Sequence, residues 1–538
     1  MDTAAEPLPD PSAMTPALDR RLAGTAGVLA AAVALGVGEL ASTLSPNEQS
    51  LIGGVGDWFI DGPGQAIAKP AIALFGTNDK PALVIGIVVC SLVIGWFVGR
   101  ASIARPWVGP AAFATFGVAG AAAGITDALA DPAWAVVSAT CAAATGAATL
   151  WVLLRVATTG RSLPVTTTQT IVVPGSQTGD RRAFFAWAGA AGAFAATAGV
   201  ASRSRRGPSA AEQARATLRL PDVSRTTSPS AIDATATARA SFDVPDLSPY
   251  ITPNDRFYRI DTALVTPEVD PASWKLDVLG KVDRPFELTF DELLALPMIE
   301  APVTLSCVSN EVGGGLVGNA VWQGVPLTTI LERAGVQDGG EQLIGRSVDG
   351  FTVGFPTEAA LDGRVAMVAV GMNGEPLPVR HGFPARLVVS GLYGYVSATK
   401  WLGQLELTGW DDFDAYWIPR GWSKEAPIKT QSRVDVPRNR QKVTAGPTPI
   451  AGVAWAPGRG ISRVEVQVDG GEWRDAQLGP VLNDDTWRQW VATWDATPGD
   501  HEVRVRATDG DGETQTDRTA PPAPDGATGW HLRRFTVT

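Results

Sequence analysis

Two hydrophobic patterns divide this chain. Between residues 22 and 201 apolar residues gather in five long stretches, about 22–43, 81–99, 107–126, 133–154 and 183–201. Each approaches the roughly 20 residues a helix needs to cross a bilayer. Their Ala and Gly content suits close helix packing. From residue 246 the apolar runs shorten. Residues 273–278 and 286–289 read as strands, and 299–305, apolar and β-branched, as a buried strand. Residues 290–294 read as a helix start, and 327–334 as a short helix with Thr328 as its cap and Gly335 as its stop. Residues 366–370 and 386–389 read as buried strands. This order lacks regular βαβ alternation and predicts an α+β domain over 246–425. Residues 463–468 and 501–506 then alternate polar and apolar, each followed by an Asp-Gly turn, and Trp487, Trp490 and Trp494 mark a third strand region. Residues 446–538 therefore read as an all-β, immunoglobulin-like sandwich. The fold class is multidomain: an all-α transmembrane bundle of about five helices (22–202), an α+β domain and a sandwich. Residues 1–21 read as a disordered N-terminus, and 203–245 as a linker with a short helix at 209–219.

Basic residues orient the bundle. Arg20 and Arg21 precede the first stretch, Arg100 and Arg105 lie between the second and third, and Arg155, Arg161, Arg181 and Arg182 between the fourth and fifth. The other two loops carry Glu48, Asp57, Asp61, Asp79, Asp127 and Asp131. The positive-inside rule puts the N-terminus in the cytoplasm and everything after residue 202 outside. Within the long outer loop, 66–75 reads as an interfacial or re-entrant helix. Glu39, in the first stretch, is an intramembrane acid and a functional candidate. The order Arg181-Arg182-Ala183-Phe184-Phe185 before a weakly apolar run resembles a twin-arginine export signal, which carries folded proteins.

The net charge is −11 and no basic aromatic-rich patch is present, which argues against nucleic acid as a partner. All three histidines, His381, His501 and His531, follow the bundle, so a bis-histidine haem within it is excluded by composition. The literal GxGxxG match, Gly313 to Gly318, opens no helical pattern, and no Walker motif occurs. Cys90 and Cys141 sit in apolar runs, and the three cysteines form no disulfide framework or zinc spacing.

The third cysteine, Cys307, stands in TLSCVSNEVGGGLVGNAVW (304–322), at the end of the 299–305 strand and before Gly313-Gly314-Gly315. Two readings stay open on this stretch alone. Cys307 is a small buried hydrophobe, or it is a thiolate facing a loop with no side-chain bulk, where a large group can approach the backbone.

Five motifs in order, SPYITPNDRFYRIDTAL (248–264), TLSCVSN (304–310), AVGMNGEPLPVRHGFPARLVV (369–389), GYVSATKWLGQLEL (394–407) and YWIPRGW (416–422), resemble the sulfite oxidase family of molybdopterin-dependent oxidoreductases, membrane-anchored bacterial type. The resemblance implies molybdenum held by the dithiolene of one pyranopterin and by the Cys307 thiolate. It implies cofactor contacts from Arg259, Asp261, His381, Arg386 and Lys400, pterin contacts from Asp349, and phosphate contacts from Ser397 and Thr399. It implies catalytic roles for Cys307, Arg259 and Trp422. The sandwich resembles the family's C-terminal domain, which dimerises in many members, so a homodimer is an expected partner state.

Three positions depart from the pattern. Val312 stands where sulfite oxidases carry an anion-binding arginine, Trp422 where they carry a tyrosine, and Ser309 where the sulfoxide-reducing branch carries an acid. A vestibule with Trp417 and Trp422 points to a less charged substrate, of S- or N-oxide type. The expected activity is two-electron oxygen-atom transfer on the extracytoplasmic face of the cell membrane. A separate cytochrome or the quinone pool is the expected electron carrier, because the chain has no haem motif or iron–sulfur cysteine cluster. Two alternatives stand beside this: a sulfite dehydrogenase with an altered anion pocket, and a non-catalytic membrane-tethered binding protein on a decayed fold.

Overall fold

A computed structural model describes residues 20–44, 50–61, 79–127, 130–158, 178–205, 209–223, 225–226 and 241–538. It forms two compact bodies, residues 1–207 with 263–265, and residues 208–262 with 266–538.

In the first body, helices α1 (Arg20–Ser42), α2 (Leu51–Asp61), α3 (Asp79–Ala104), α4 (Val108–Thr126), α5 (Pro132–Thr158) and α6 (Thr178–Arg205) follow in order. Among the described residues four of these, α1, α3, α4 and α5, are long and apolar enough to cross a membrane by length and composition. The expected fifth span forms α6, whose described apolar part, Phe184–Thr197, is shorter. Helix α1 is the hub and packs on α3, α5 and α6. Its approach to α3 is close because glycine faces glycine: a Cβ on Gly27 would lie 1.9 Å from the Gly95 carbonyl oxygen. Outward apolar side chains such as Ile85, Val89 and Phe97 stay exposed, as lipid-facing residues do.

Glu39 has a structural use in this body. Its Oε1 accepts from the Ser50 hydroxyl at 2.6 Å and the Ile52 N–H at 3.2 Å, so the acid caps the N-terminus of α2. Residues 1–19 and the 66–75 run lie outside the described residues, as do the side chains of Arg181 and Arg182.

Part of the expected linker is folded into the second body. Helix α7 (Ala210–Thr217) starts at a Ser209–Glu212 capping box, and Arg215 donates to the carbonyls of Pro376 and Leu377. Strand β1 (Arg225–Thr226) pairs with Ile299 and Glu300.

Two sheets then build the α+β region. One runs β1–β4–β5–β8–β10, with β4 Ile299–Ser306, β5 Val317–Pro326, β8 Ala366–Met372 and β10 Arg386–Val389, and with β9 (Glu375–Pro376) on β8. The other runs β3–β2–β11–β6–β7, with β2 Lys275–Gly280, β3 Phe286–Thr289, β6 Gln342–Ser347, β7 Thr352–Pro356 and β11 Leu402–Thr408. Helix α8 (Phe290–Leu294) opens at a Thr289–Glu292 capping box. Helix α9 (Leu327–Ala334) ends at Gly335 as expected, but its N-cap is Pro326 rather than Thr328, and no side chain caps it. Its first residue follows β5 directly, so no free position remains for a threonine cap.

The C-terminal region is the expected sandwich. One sheet runs β12–β14–β18–β17 and the other β13–β20–β19–β15–β16. Its strands are β12 (Gln431–Val436), β13 (Lys442–Val443), β14 (Gly446–Trp455), β15 (Ile461–Val468), β16 (Arg474–Asp475), β17 (Gln477–Leu478), β18 (Arg488–Ala496), β19 (Gly499–Asp509) and β20 (His531–Val537). Trp490, Val503, Val505 and Phe535 fill the space between the sheets. The Asp469-Gly470 turn has positive φ at both residues, 50° and 70°, which a tight hairpin after β15 requires.

The sandwich is bonded to β4. The Thr304 N–H donates to the Asp485 carbonyl at 2.9 Å, and the Trp487 N–H donates to Thr304 Oγ1 at 2.7 Å. Thr304 Oγ1 in turn donates to Asn319 Oδ1 at 3.0 Å, and the Trp487 indole donates to the Tyr250 carbonyl at 2.8 Å. Thr304 is fully buried. Thr304→Val keeps the shape but strands a buried N–H and a buried amide oxygen, and is expected to cost about 2 kcal/mol or more. The unfolding midpoint of the purified chain checks this, and an unchanged midpoint would contradict it.

Candidate active site

Strand β4 is paired with β5 from Ile299↔Gly324 to Ser306↔Val317, and Cys307 is the first residue beyond that ladder. The Cys307 N–H donates to the Leu316 carbonyl at 2.9 Å, which closes residues 307–316 into a loop. Inside it the Asn310 side chain accepts the Leu316 N–H at 2.8 Å. The thiol is buried. Burial pushes it above its ordinary value, outweighing hydrogen bonds from Ser309 and the charge of Lys400. Without a metal the group is a neutral thiol, which suits a ligand awaiting a cation better than a free nucleophile.

Around it stand cations from three segments and an acid from a fourth. Arg386, on β10, is 4% exposed, and its guanidinium donates to the carbonyls of His381 at 3.0 Å and Leu387 at 3.3 Å. It lies 4.9 Å from the centre of the Trp322 ring. Burial pushes it down to about 10. Lys400 precedes β11, and burial pulls it down to about 8 although Asp261 favours its charged form. One carboxylate oxygen, Asp261 Oδ2, accepts from Lys400 Nζ at 3.0 Å and from Arg259 Nε at 2.8 Å. Arg259 also reaches Thr266 and is the most exposed of the three cations. Asp349 sits in the β6–β7 turn, where Oδ1 accepts the Phe351 N–H at 3.0 Å. Burial raises it, and the charge of Asp261 adds to that rise.

His381 ends a single 3-10 turn at Gly382, whose φ is 110°. Only glycine fits there, since a Cβ would lie 3.0 Å from that of Lys400 and 3.1 Å from that of Arg386. This contact draws His381, Arg386 and Lys400 together. His381 Nε2 donates to the Asn254 carbonyl at 3.0 Å, so Nδ1 carries the lone pair. Nδ1 is buried without a partner. Burial first, then Arg386 and Lys400, push His381 down to about 3, so the imidazole is neutral. A neutral acceptor buried with nothing to accept is the signature of an N–H or amino edge supplied from outside the chain.

Sequence reasoning missed several members. Burial raises the phenols of Tyr258 and Tyr393, and the charge of Cys307 adds to each rise. Asn254 serves both His381 and Arg380 through one carbonyl. Trp401 adopts a left-handed φ of 49° beside Lys400, held by its indole bond to the Val379 carbonyl at 2.9 Å. Such a conformation in a large residue costs about 1–3 kcal/mol and collects at functional sites. Asn254, Tyr258 and Trp401 all stand within the quoted motifs, so a sequence signal existed for each, while Tyr393 lies just outside them.

Three residues with expected roles have their local partners fixed. The Ser397 hydroxyl donates to the carbonyls of Leu392 and Tyr393, and that of Thr399 to Gly345. Both side chains are fully buried, and their protons are committed to the main chain rather than free for a phosphate. Trp422 packs on Tyr395 and Trp417, with ring centres 5.8 and 6.4 Å away.

The chemistry of these residues fits a molybdopterin-type group. Among the described residues no three His, Cys, Asp or Glu side chains gather to hold a metal. A metal on Cys307 must therefore arrive with most of its own ligands, and the soft thiolate, buried cations and unpartnered His381 nitrogen match a sulfur-ligated, anionic, amine-bearing cofactor.

The comparisons agree. Residues 263–417 match the oxidoreductase molybdopterin binding domain, and residues 432–505 the bacterial Ig domain. Chicken (Gallus gallus) sulfite oxidase is 30% identical over 336 residues, 53% of this chain and 70% of that protein. The uncharacterised oxidoreductase YuiH of Bacillus subtilis is 34% identical over 181 residues, 33% of this chain and 88% of that protein. Human (Homo sapiens) mitochondrial sulfite oxidase is 30% identical over 333 residues, 53% of this chain, and the match spans 59% of its length. The chain belongs to the sulfite oxidase family of molybdopterin-dependent oxidoreductases.

A pH prediction follows from the histidines. His381 and His531 are both held near 3 by burial, against an ordinary 6.5. The unfolded chain binds their protons first, so their stabilisation is complete above pH 6.5 and is lost as pH falls from 6.5 toward 3. The unfolding midpoint should drop across that window, and less steeply in His381→Asn. An equal slope in that variant would contradict the assignment.

Proposed function

We propose that this protein is a membrane-anchored molybdenum-cofactor oxidoreductase whose catalytic domain faces the extracytoplasmic side. The observation that carries the reading is a lone buried thiol beside buried Arg386 and Lys400 and the unpartnered His381 nitrogen. Cys307 is the metal ligand; Arg386 and Lys400 hold the cofactor's anionic edges; His381 accepts from its amino groups. Molybdenum there supplies two-electron oxygen-atom transfer. The protein's part is to bind and orient. Arg259, the most exposed cation, meets the substrate oxygen at the mouth, and burial keeps the Tyr258 hydroxyl protonated as a donor. With Val312 in place of a second cation, an S- or N-oxide is the favoured substrate class. Electrons exchange with a separate carrier, a cytochrome or the quinone pool. The distribution of basic residues between the apolar helices supports the sidedness.

A second reading, sulfite oxidation, draws on the retained Arg259 and the relatives' names. Elemental analysis of detergent-purified protein should find about one molybdenum per chain, lost in Cys307→Ser. Lys400→Met should lower cofactor retention several-fold. Turnover of sulfoxides or N-oxides with none of sulfite supports the first reading; sulfite oxidation at micromolar substrate supports the second. A metal-free chain from a cofactor-competent host would leave only a binding protein.

A further inference from the structure

The loop that follows Cys307 is gripped from outside its own domain. Gly313, at its tip, has a φ of 74°, and the His531 ring lies directly against it: a Cβ at Gly313 would fall 2.1 Å from His531 Cδ2 and 2.2 Å from Nε2. The next residue is bonded as well, because Arg433 donates to the Gly314 carbonyl at 2.8 Å. Both gripping residues belong to the sandwich, Arg433 on β12 and His531 at the start of β20. Neither is free to move. The Val434 N–H donates to His531 Nδ1 at 2.9 Å, which sets the ring's orientation. Arg433 is bonded to Asp435 at 2.7 Å and to Ser248 Oγ at 2.9 Å. Their exposures are 6% for His531 and 8% for Arg433, so the grip is a buried contact. Glycine is required at both loop positions, since a Cβ at Gly314 would lie 2.6 Å from Asn310 Oδ1.

We infer that the sandwich is a working part of the metal site: Arg433 and His531 are positioning residues that hold loop 307–316, and through it the Cys307 sulfur and Val312, in their places. The inference rests on Cys307 being the metal ligand. The route is short. The loop's two ends are tied by the Cys307–Leu316 bond, and its interior by Asn310 N–H to the Cys307 carbonyl at 3.1 Å and Gly314 N–H to the Glu311 carbonyl at 2.8 Å. Displacing the tip therefore displaces the cysteine. Residues 310–316 form an irregular segment with no ladder of their own, so outside contacts determine where they sit.

The test uses the full chain in detergent, made without molybdenum, and measures the alkylation rate of Cys307 by peptide mass mapping. His531→Ala and Arg433→Gln should each raise that rate several-fold. Val503→Ala, a sandwich-core change away from the loop, should leave it near the parent value at a matched loss of thermal stability. Gly313→Ala should also raise the rate, and Gly313→Ala with His531→Ala should raise it less than the two effects combined, because the second change removes the clash. If His531→Ala does not fold, Gly313→Ala reports on the same contact. Unchanged alkylation in folded Arg433→Gln and Gly313→Ala, or an equal rise in Val503→Ala, would overturn the inference. Molybdenum content of Cys307→Ser separates the two readings: full metal there removes Cys307 as ligand, while the alkylation rates still judge the grip.

Discussion

Arg386 is buried and the Lys400 side chain is only 10% exposed; among the described residues the one carboxylate bonded to either is Asp261, which Lys400 shares with Arg259. Arg386 donates only to neutral carbonyls. Buried positive charge held this way is costly unless an anion completes it. That cost is visible in the lowered values of Lys400 and Arg386. The fold accepts it at one place, next to its one buried thiol, and the surrounding β-rich core makes the acceptance possible. Strands β4, β5, β8 and β10 are almost wholly buried, so they fix the segments that carry Cys307, His381 and Arg386.

The sandwich shares in this construction. Val453, Trp455 and Trp487 belong to the same apolar cluster as Leu276, Leu288 and Leu387 of the α+β region. Thr304, two residues from the end of β4, is hydrogen-bonded to Asp485 and Trp487 across the junction. A hinged accessory module would bury less and bond less there. The loop beyond Cys307 is thus held by β5 on one side and by Arg433 and His531 on the other.

Much of the architecture was legible because local pattern and final structure agree. The strand 286–289 and the helices 290–294 and 327–334 fall where the apolar pattern and a terminal glycine place them. Thr328 was misread as a cap because β5 runs straight into α9, a continuity that spacing alone does not reveal. Glu39 looked like a functional intramembrane acid, whereas it caps α2, a helix whose existence the pattern did not announce.

Within the site, the five ordered motifs already contained Cys307, Arg259, Asp261, His381, Arg386 and Lys400, because chemistry restricts which side chains can face an anionic, sulfur-ligated group. The direction each hydroxyl points was beyond reach. Ser397 donates to the Tyr393 carbonyl and Thr399 to the Gly345 carbonyl, partners that residue type alone does not reveal. Trp422 is drawn into a cluster with Tyr395 and Trp417. By itself the sequence determined the order of the modules, most of the strands and the charged inventory of the site, since these depend on hydrophobic period and residue type. Only the tertiary structure decided that Thr304 bonds Asp485 and Trp487 and that His531 rests on Gly313, because those contacts join segments that are far apart along the chain and are set by how buried surfaces pack.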